Sequence, residues 1–90
     1  MSDEIARLRS SIDANDRAIV AAFNERLRLV AELWELKREH RVDRLDPERE
    51  QRLHADLAAA NTGPLSAEGL SRLVDELLDL TKRELADESA

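Results

Sequence analysis

The sequence predicts an all-α fold of three helices, one very long, one short and one medium, in a chain that pairs with a second copy of itself. Three observations predict it. The stretch from Asp3 to Arg41 contains no Gly and no Pro, and Ile5, Leu8, Ile12, Ile19, Phe23, Leu27, Val30 and Leu33 recur at three- and four-residue steps, the period of an amphipathic helix. At about 1.5 Å per residue that helix is on the order of 55 Å long, whereas a compact domain of this size has a radius of gyration near ~12 Å. Its apolar stripe therefore overhangs any core the same chain can build and needs a second chain. Finally, neither a strand pattern nor an internal repeat occurs, and Pro47 and the Gly63-Pro64 pair punctuate what remains into two further helices.

Asp3 and Glu4 put negative charge in the first turn of the long helix, where its macrodipole favours it. The segment from Glu39 to Leu45 is mixed in charge and loses the helical period, so it reads as a connection, with Val42 and Leu45 expected to tuck against the core. Asp46-Pro47 is an N-cap followed by proline at the first helical position, opening a second helix to about Ala60 with Leu53, Leu57 and Ala60 as its buried edge. Asn61-Thr62-Gly63-Pro64 ends it. Ser66 caps the third helix, whose apolar face is Leu70, Leu73, Val74, Leu77, Leu78 and Leu85, and the polar tail from Asp87 to Ala90 is expected to fray. Residues 1–90 read as one domain, with no composition break or low-complexity linker.

Composition narrows the function. The net charge of −6 disfavours nucleic acid and anionic membranes, which are bound through excess Lys and Arg, although fourteen basic residues can still build a local anion site. Phe23 and Trp34 are the only aromatic rings, too few for base stacking. The absence of cysteine excludes disulfides and thiolate metal sites. With no basic region and apolar run at the N-terminus and no apolar stretch of membrane-spanning length, the expected location is the cytoplasm. His40 and His54 are fourteen residues apart on different elements, without metal-site spacing, and read as surface histidines. Ser10, Ser11 and Ser71 have no histidine near enough in sequence to pair as a nucleophile.

Charged residues interrupt the long stripe. Arg26 and Lys37 are eleven residues apart and return to within roughly 20° of one direction, about 16 Å apart along the axis, so two long side chains can close around a small anion. Arg9 lies roughly 100° around the helix and about 25 Å from Arg26, too far to share a small ligand within one chain. If it serves such a site, the site belongs to a partner subunit. Asp46, Arg49 and Glu50, at i, i+3 and i+4, present two carboxylates and a guanidinium at the start of the second helix. Taken singly, each feature has a plainer explanation: a capping aspartate with surface ion pairs, or charged flanks of a coiled-coil seam.

Taken together they resemble something specific. Arg9 in Leu-Arg-Ser-Ser-Ile-Asp, Arg26 in Asn-Glu-Arg, Lys37 in Glu-Leu-Lys and the run Asp46-Pro47-Glu48-Arg49-Glu50 occur in the order and spacing of the all-helical (AroQ-type) chorismate mutases. The resemblance runs from about Glu4 to Leu85, anchored by a lysine followed nine residues later by Asp-Pro-x-Arg-Glu. It implies an intertwined homodimer in which each active site borrows one arginine from the partner, in line with the separate argument for Arg9. It also implies conversion of chorismate, a dianion, to prephenate in phenylalanine and tyrosine biosynthesis. That Claisen rearrangement is unimolecular, with no proton transfer and no covalent intermediate. The protein needs no nucleophile, cofactor or metal; it must hold the reactive conformer and stabilise charge developing on the ether oxygen.

Carried over by position, the resemblance makes the partner's Arg9 and Arg26 the carboxylate clamps and Lys37 the ether-oxygen donor. Glu50, with the cap region at Asp46, takes the substrate hydroxyl, and Arg49 orders the neighbouring carboxylates. Thr81 falls where many members have a serine near a substrate carboxylate. Two positions depart from the pattern: Leu85 stands where a Gln or Glu usually faces the ether oxygen, with Glu84 one residue away as the substitute, and Trp34 stands where a small residue is common. The competing readings are an isochorismate pyruvate-lyase on the same fold, which retention of Glu50 disfavours, and a weakly active or non-catalytic regulatory dimer. Leu85 lends weight to the regulatory version, because mutases with incomplete sites can depend on a shikimate-pathway enzyme as partner.

Overall fold

A computed structural model describes residues 2–86; the expectation for the tail from Asp87 to Ala90 lies outside the described residues. Three helices account for the architecture: α1 (Ser2–Glu39), α2 (Pro47–Ala60) and α3 (Ala67–Ala86), with no strand among the described residues. The chain divides into two compact units whose boundary falls within α1, between Leu33 and Trp34.

The first unit is helix alone. Ile5, Leu8, Ile12, Ile19 and Val20 are each more than half exposed, and no residue of α1 is fully buried, while Phe23, Leu27 and Val30 are half-buried. The periodicity formed the helix, but one turn after another presents its apolar side to solvent.

The second unit begins with the last turns of α1. The helix ends at Glu39, where the loss of helical period put the start of the connection and two residues short of the end of the Gly- and Pro-free stretch at Arg41, which adopts a left-handed backbone with φ of 56°. The Arg41 N–H donates to Arg38 O at 3.2 Å and the Val42 N–H to Lys37 O at 2.8 Å, the two reversed bonds of a Schellman ending. Val42 and Leu45 do not tuck into the core: they are 54% and 67% exposed. Polar turn chemistry shapes the connection instead, with Asp43 Oδ1 accepting from the Leu45 N–H at 3.0 Å.

Asp46 caps α2 as its sequence predicts, Oδ1 accepting from the Arg49 N–H at 3.1 Å, with Pro47 at the first helical position. At the far end Asn61 Nδ2 donates to Leu65 O at 2.9 Å and closes the loop, and Ser66 Oγ accepts from the Gly69 N–H at 3.0 Å to cap α3. A β-carbon at Gly69 would lie 2.9 Å from Leu65 Cδ1, so glycine there lets Leu65 approach the first turn of α3.

The core of this unit is a line along α3: Leu70, Val74, Thr81 and Leu85 are buried at steps of four and seven residues. Leu77 and Leu78 are half-buried, whereas Leu73, about 100° around the helix from Val74, is 50% exposed rather than part of the buried face. Helix α2 packs on α3 through half-buried Leu53 and Leu57, and Ala60, at its last position, is exposed. Two polar contacts cross between them, the ion pair of Glu50 with Lys82 at 3.1 Å and His54 Nε2 to Asp75 at 3.3 Å. Advancing along α2 retreats along α3, so the two helices run antiparallel.

Arg41 is the strained point of this backbone, since a β-carbon in the left-handed region costs about 1–2 kcal/mol. Part of that gain is lost to the greater freedom of an unfolded glycine, about 0.4–1 kcal/mol. Arg41→Gly is therefore expected to stabilise the fold by about 0.5–1 kcal/mol, read as a higher urea midpoint at fixed protein concentration with an unchanged slope.

Candidate active site

The cations whose contacts bear on the site fall into two kinds. Arg28, Arg38, Arg52, Arg72 and Arg83 each pair with a carboxylate three or four residues away on their own helix, at exposed positions where solvent screens such pairs. Arg38 illustrates the consequence: the hydrogen bond it donates to Glu35, and then that carboxylate's charge, raise its pKa. Lys37 and Lys82 reach further. Lys37, half-buried, donates from Nζ to the backbone carbonyl of Arg44 at 3.4 Å, seven residues on, and Lys82 pairs with Glu50 across the α2–α3 interface.

The difference is chemical. A carboxylate neutralises the cation beside it, whereas a carbonyl orients an ammonium and leaves its positive charge available to an anion. Arg44 lies two residues before the Asp46 cap, so this bond directs Lys37 toward the connection that leads into α2. The opening turn of α2 adds its own positive end: the Asp46 side chain takes the Arg49 N–H, and the Glu50 N–H donates to Asp46 O at 3.1 Å. Glu50 is half-buried and holds Lys82 through Oε2, while Arg49 is exposed.

Within the second unit, then, the structure joins Glu50 to Lys82, Asp46 to the Arg49 backbone, and Lys37 to the connection just ahead of Asp46. Thr81 is buried at 4% exposure, and its hydroxyl donates back to Leu77 O at 2.6 Å. Glu84 is exposed, and Leu85, one residue on, is buried. In the first unit Arg26 is half-buried, and Arg9 is exposed beside a shallow open groove along α1 that Ile5, Ala6 and Asp13 also line.

Lys82 is the residue that reading the sequence missed. Its contact with Glu50 spans thirty-two positions and two helices, and no spacing rule connects them; only the packing of α2 on α3 does. His54 likewise has a partner, Asp75, that its sequence neighbourhood does not reveal. Among the described residues no cluster of three or more His, Cys, Asp or Glu side chains could hold a metal ion, and no helix is long and apolar enough to cross a membrane.

No curated protein and no solved structure matches the chain. A family model does: the one described as chorismate mutase type II matches residues 8–85, which reach into all three helices and include Arg9, Arg26, Lys37, Asp46, Arg49, Glu50 and Lys82. With that match over most of its length, the chain belongs to the type II chorismate mutase family.

Proposed function

We propose that the protein is a chorismate mutase, rearranging chorismate to prephenate for phenylalanine and tyrosine biosynthesis, and that it works as a homodimer. The observation that carries this reading is Lys37: an ammonium, half-buried and oriented by a neutral carbonyl, in a chain of the chorismate mutase family. A preorganised point charge is what an ether oxygen requires as its bond lengthens and negative charge builds on it.

The other roles follow the family pattern. Arg26 and the partner's Arg9 hold the substrate carboxylates, for which planar guanidinium forks give bidentate, orienting contacts. Glu50 accepts the substrate hydroxyl. Its Oε2 is taken by Lys82, which holds the carboxylate in place and leaves Oε1 for the ligand. Asp46 and Arg49 set the start of α2, and Thr81 lies near a carboxylate. Leu85 is buried and has no donor, and Glu84 is about 100° away around α3 and exposed, so this reading rests the ether oxygen on Lys37. Catalysis is then selection of the compact conformer plus electrostatic stabilisation, with every group acting by position and charge.

The dimer is supported by the first unit. Ile5, Leu8, Ile12, Ile19, Val20, Leu29 and Leu33 are each 45–61% exposed. Full burial of such a side chain is favourable by about 1.5–3 kcal/mol, so covering the open half recovers roughly 1 kcal/mol per residue and about 14 kcal/mol for two chains. That matches the estimated cost of association, about 4–15 kcal/mol, before any other contact is counted.

Lys37→Ala and Arg26→Ala are each expected to lower turnover by about 100-fold or more with helicity intact, measured by the ultraviolet loss of chorismate with prephenate identified as product. Near-normal consumption by either variant removes that residue from the site. Arg9→Ala should be equally inactive, yet mixing it with Arg26→Ala subunits should restore activity, because one site of a mixed dimer then receives both intact arginines. No recovery after demonstrated subunit exchange counts against the shared site. Sedimentation at micromolar concentration is expected to show a dimer whose melting temperature rises with protein concentration; a stably folded monomer would refute it.

A further inference from the structure

We propose that Trp34 and Arg44 form a latch that positions Lys37, making both positioning residues for the mutase reaction; the inference rests on the role given to Lys37 above. The Arg44 guanidinium carbon sits 4.1 Å from the centroid of the Trp34 ring, within the range of a cation–π contact. The same residue's carbonyl accepts from Lys37 Nζ. Arg44 thus grips α1 through its side chain and aims the ammonium through its backbone. Trp34 and Lys37 are three residues apart on α1, on one face, and both are half-buried, so the stack and the bond lie side by side.

The connection has few other means of staying in place. Its two large apolar residues, Val42 and Leu45, are more than half exposed, so burial does not hold it. The Schellman ending at Arg41 and the Asp46 cap fix where it leaves α1 and enters α2, and the Asp43 turn shapes it locally. The Schellman bond from Val42 meets Lys37 only at its backbone carbonyl, and none of these three contacts reaches the side-chain face of α1 that carries Trp34 and the Lys37 ammonium. The Arg44 stack does. It also gives the large ring at position 34 a use: a small residue there would leave the Arg44 guanidinium without an aromatic face to rest on.

Arg44 is exposed, so Arg44→Gln removes the cation with little threat to the fold, and Trp34, the sole tryptophan, reports the stack directly. Arg44→Gln is expected to change the Trp34 fluorescence emission, lower kcat about twofold to fivefold and leave KM within twofold, the size of effect an exposed cation–π contact supplies. Trp34→Phe, which keeps an aromatic face, should retain more kcat than Trp34→Leu, and Arg44→Lys more than Arg44→Gln. Losing the latch should also speed acetylation of Lys37 by acetic anhydride, followed by mass spectrometry, because the ammonium is released from its carbonyl. Unchanged emission, or changed emission with unchanged kcat, overturns the latch. Should the wild-type protein leave chorismate untouched, the mutase reading fails on its own, and the acetylation rate decides the latch: acceleration in Arg44→Gln upholds the positioning of Lys37, and an unaltered rate overturns it.

Discussion

An amphipathic helix is stable in a protein because its apolar side is covered, and the first thirty-three residues here lack that cover within their own unit. Helix propensity supplies little: isolated helices are marginal even with good formers, and most helical stability comes from packing. The first unit therefore depends on something outside itself. Seven half-exposed Ile, Leu and Val side chains in this stretch set the size of the demand, and the proposed homodimer would meet it while bringing a second copy of Arg9 into play. In that proposal stability and chemistry are linked, because the surface that would drive association carries a residue assigned to the substrate.

The second unit addresses a different problem, how to hold charge still. Catalysis by electrostatic stabilisation needs donors that are already oriented, since reorganising them during the reaction forfeits the benefit. Helix ends serve that purpose at low cost. The left-handed Arg41 turns the chain back within one residue, the Asp46 cap starts α2 with its N–H groups directed outward, and the segment between is short enough for Lys37 to hydrogen-bond its backbone. Lys82 holds Glu50 from α3 in the same spirit, as a fixed partner on a neighbouring helix. The exposed i,i+3 and i,i+4 pairs elsewhere do none of this; they moderate charge on a surface that is strongly acidic overall.

Much of this protein was determined by the sequence alone, because local rules govern it. The three helices follow from periodicity and from the absence of Gly and Pro before position 47, and the Asp46 and Ser66 caps follow from residue type and place. The order and spacing of Arg9, Arg26, Lys37, Asp46, Arg49 and Glu50 sufficed to mark the family, since a helix converts spacing directly into direction. Tertiary structure decided what depends on distant residues or on backbone exceptions. Arg41 enters the left-handed region without being Gly or Asn, so the Schellman ending there could not be read from residue type, although the loss of period already began the connection at Glu39. Val42 and Leu45 are apolar and yet exposed, because polar turn contacts and not burial shape their segment. The pairs Glu50–Lys82 and His54–Asp75 exist because α2 folds back on α3, and Arg44 meets Trp34 because the chain reverses between them. Periodicity states which way a side chain points from its own helix; what it meets there is settled only when another element arrives.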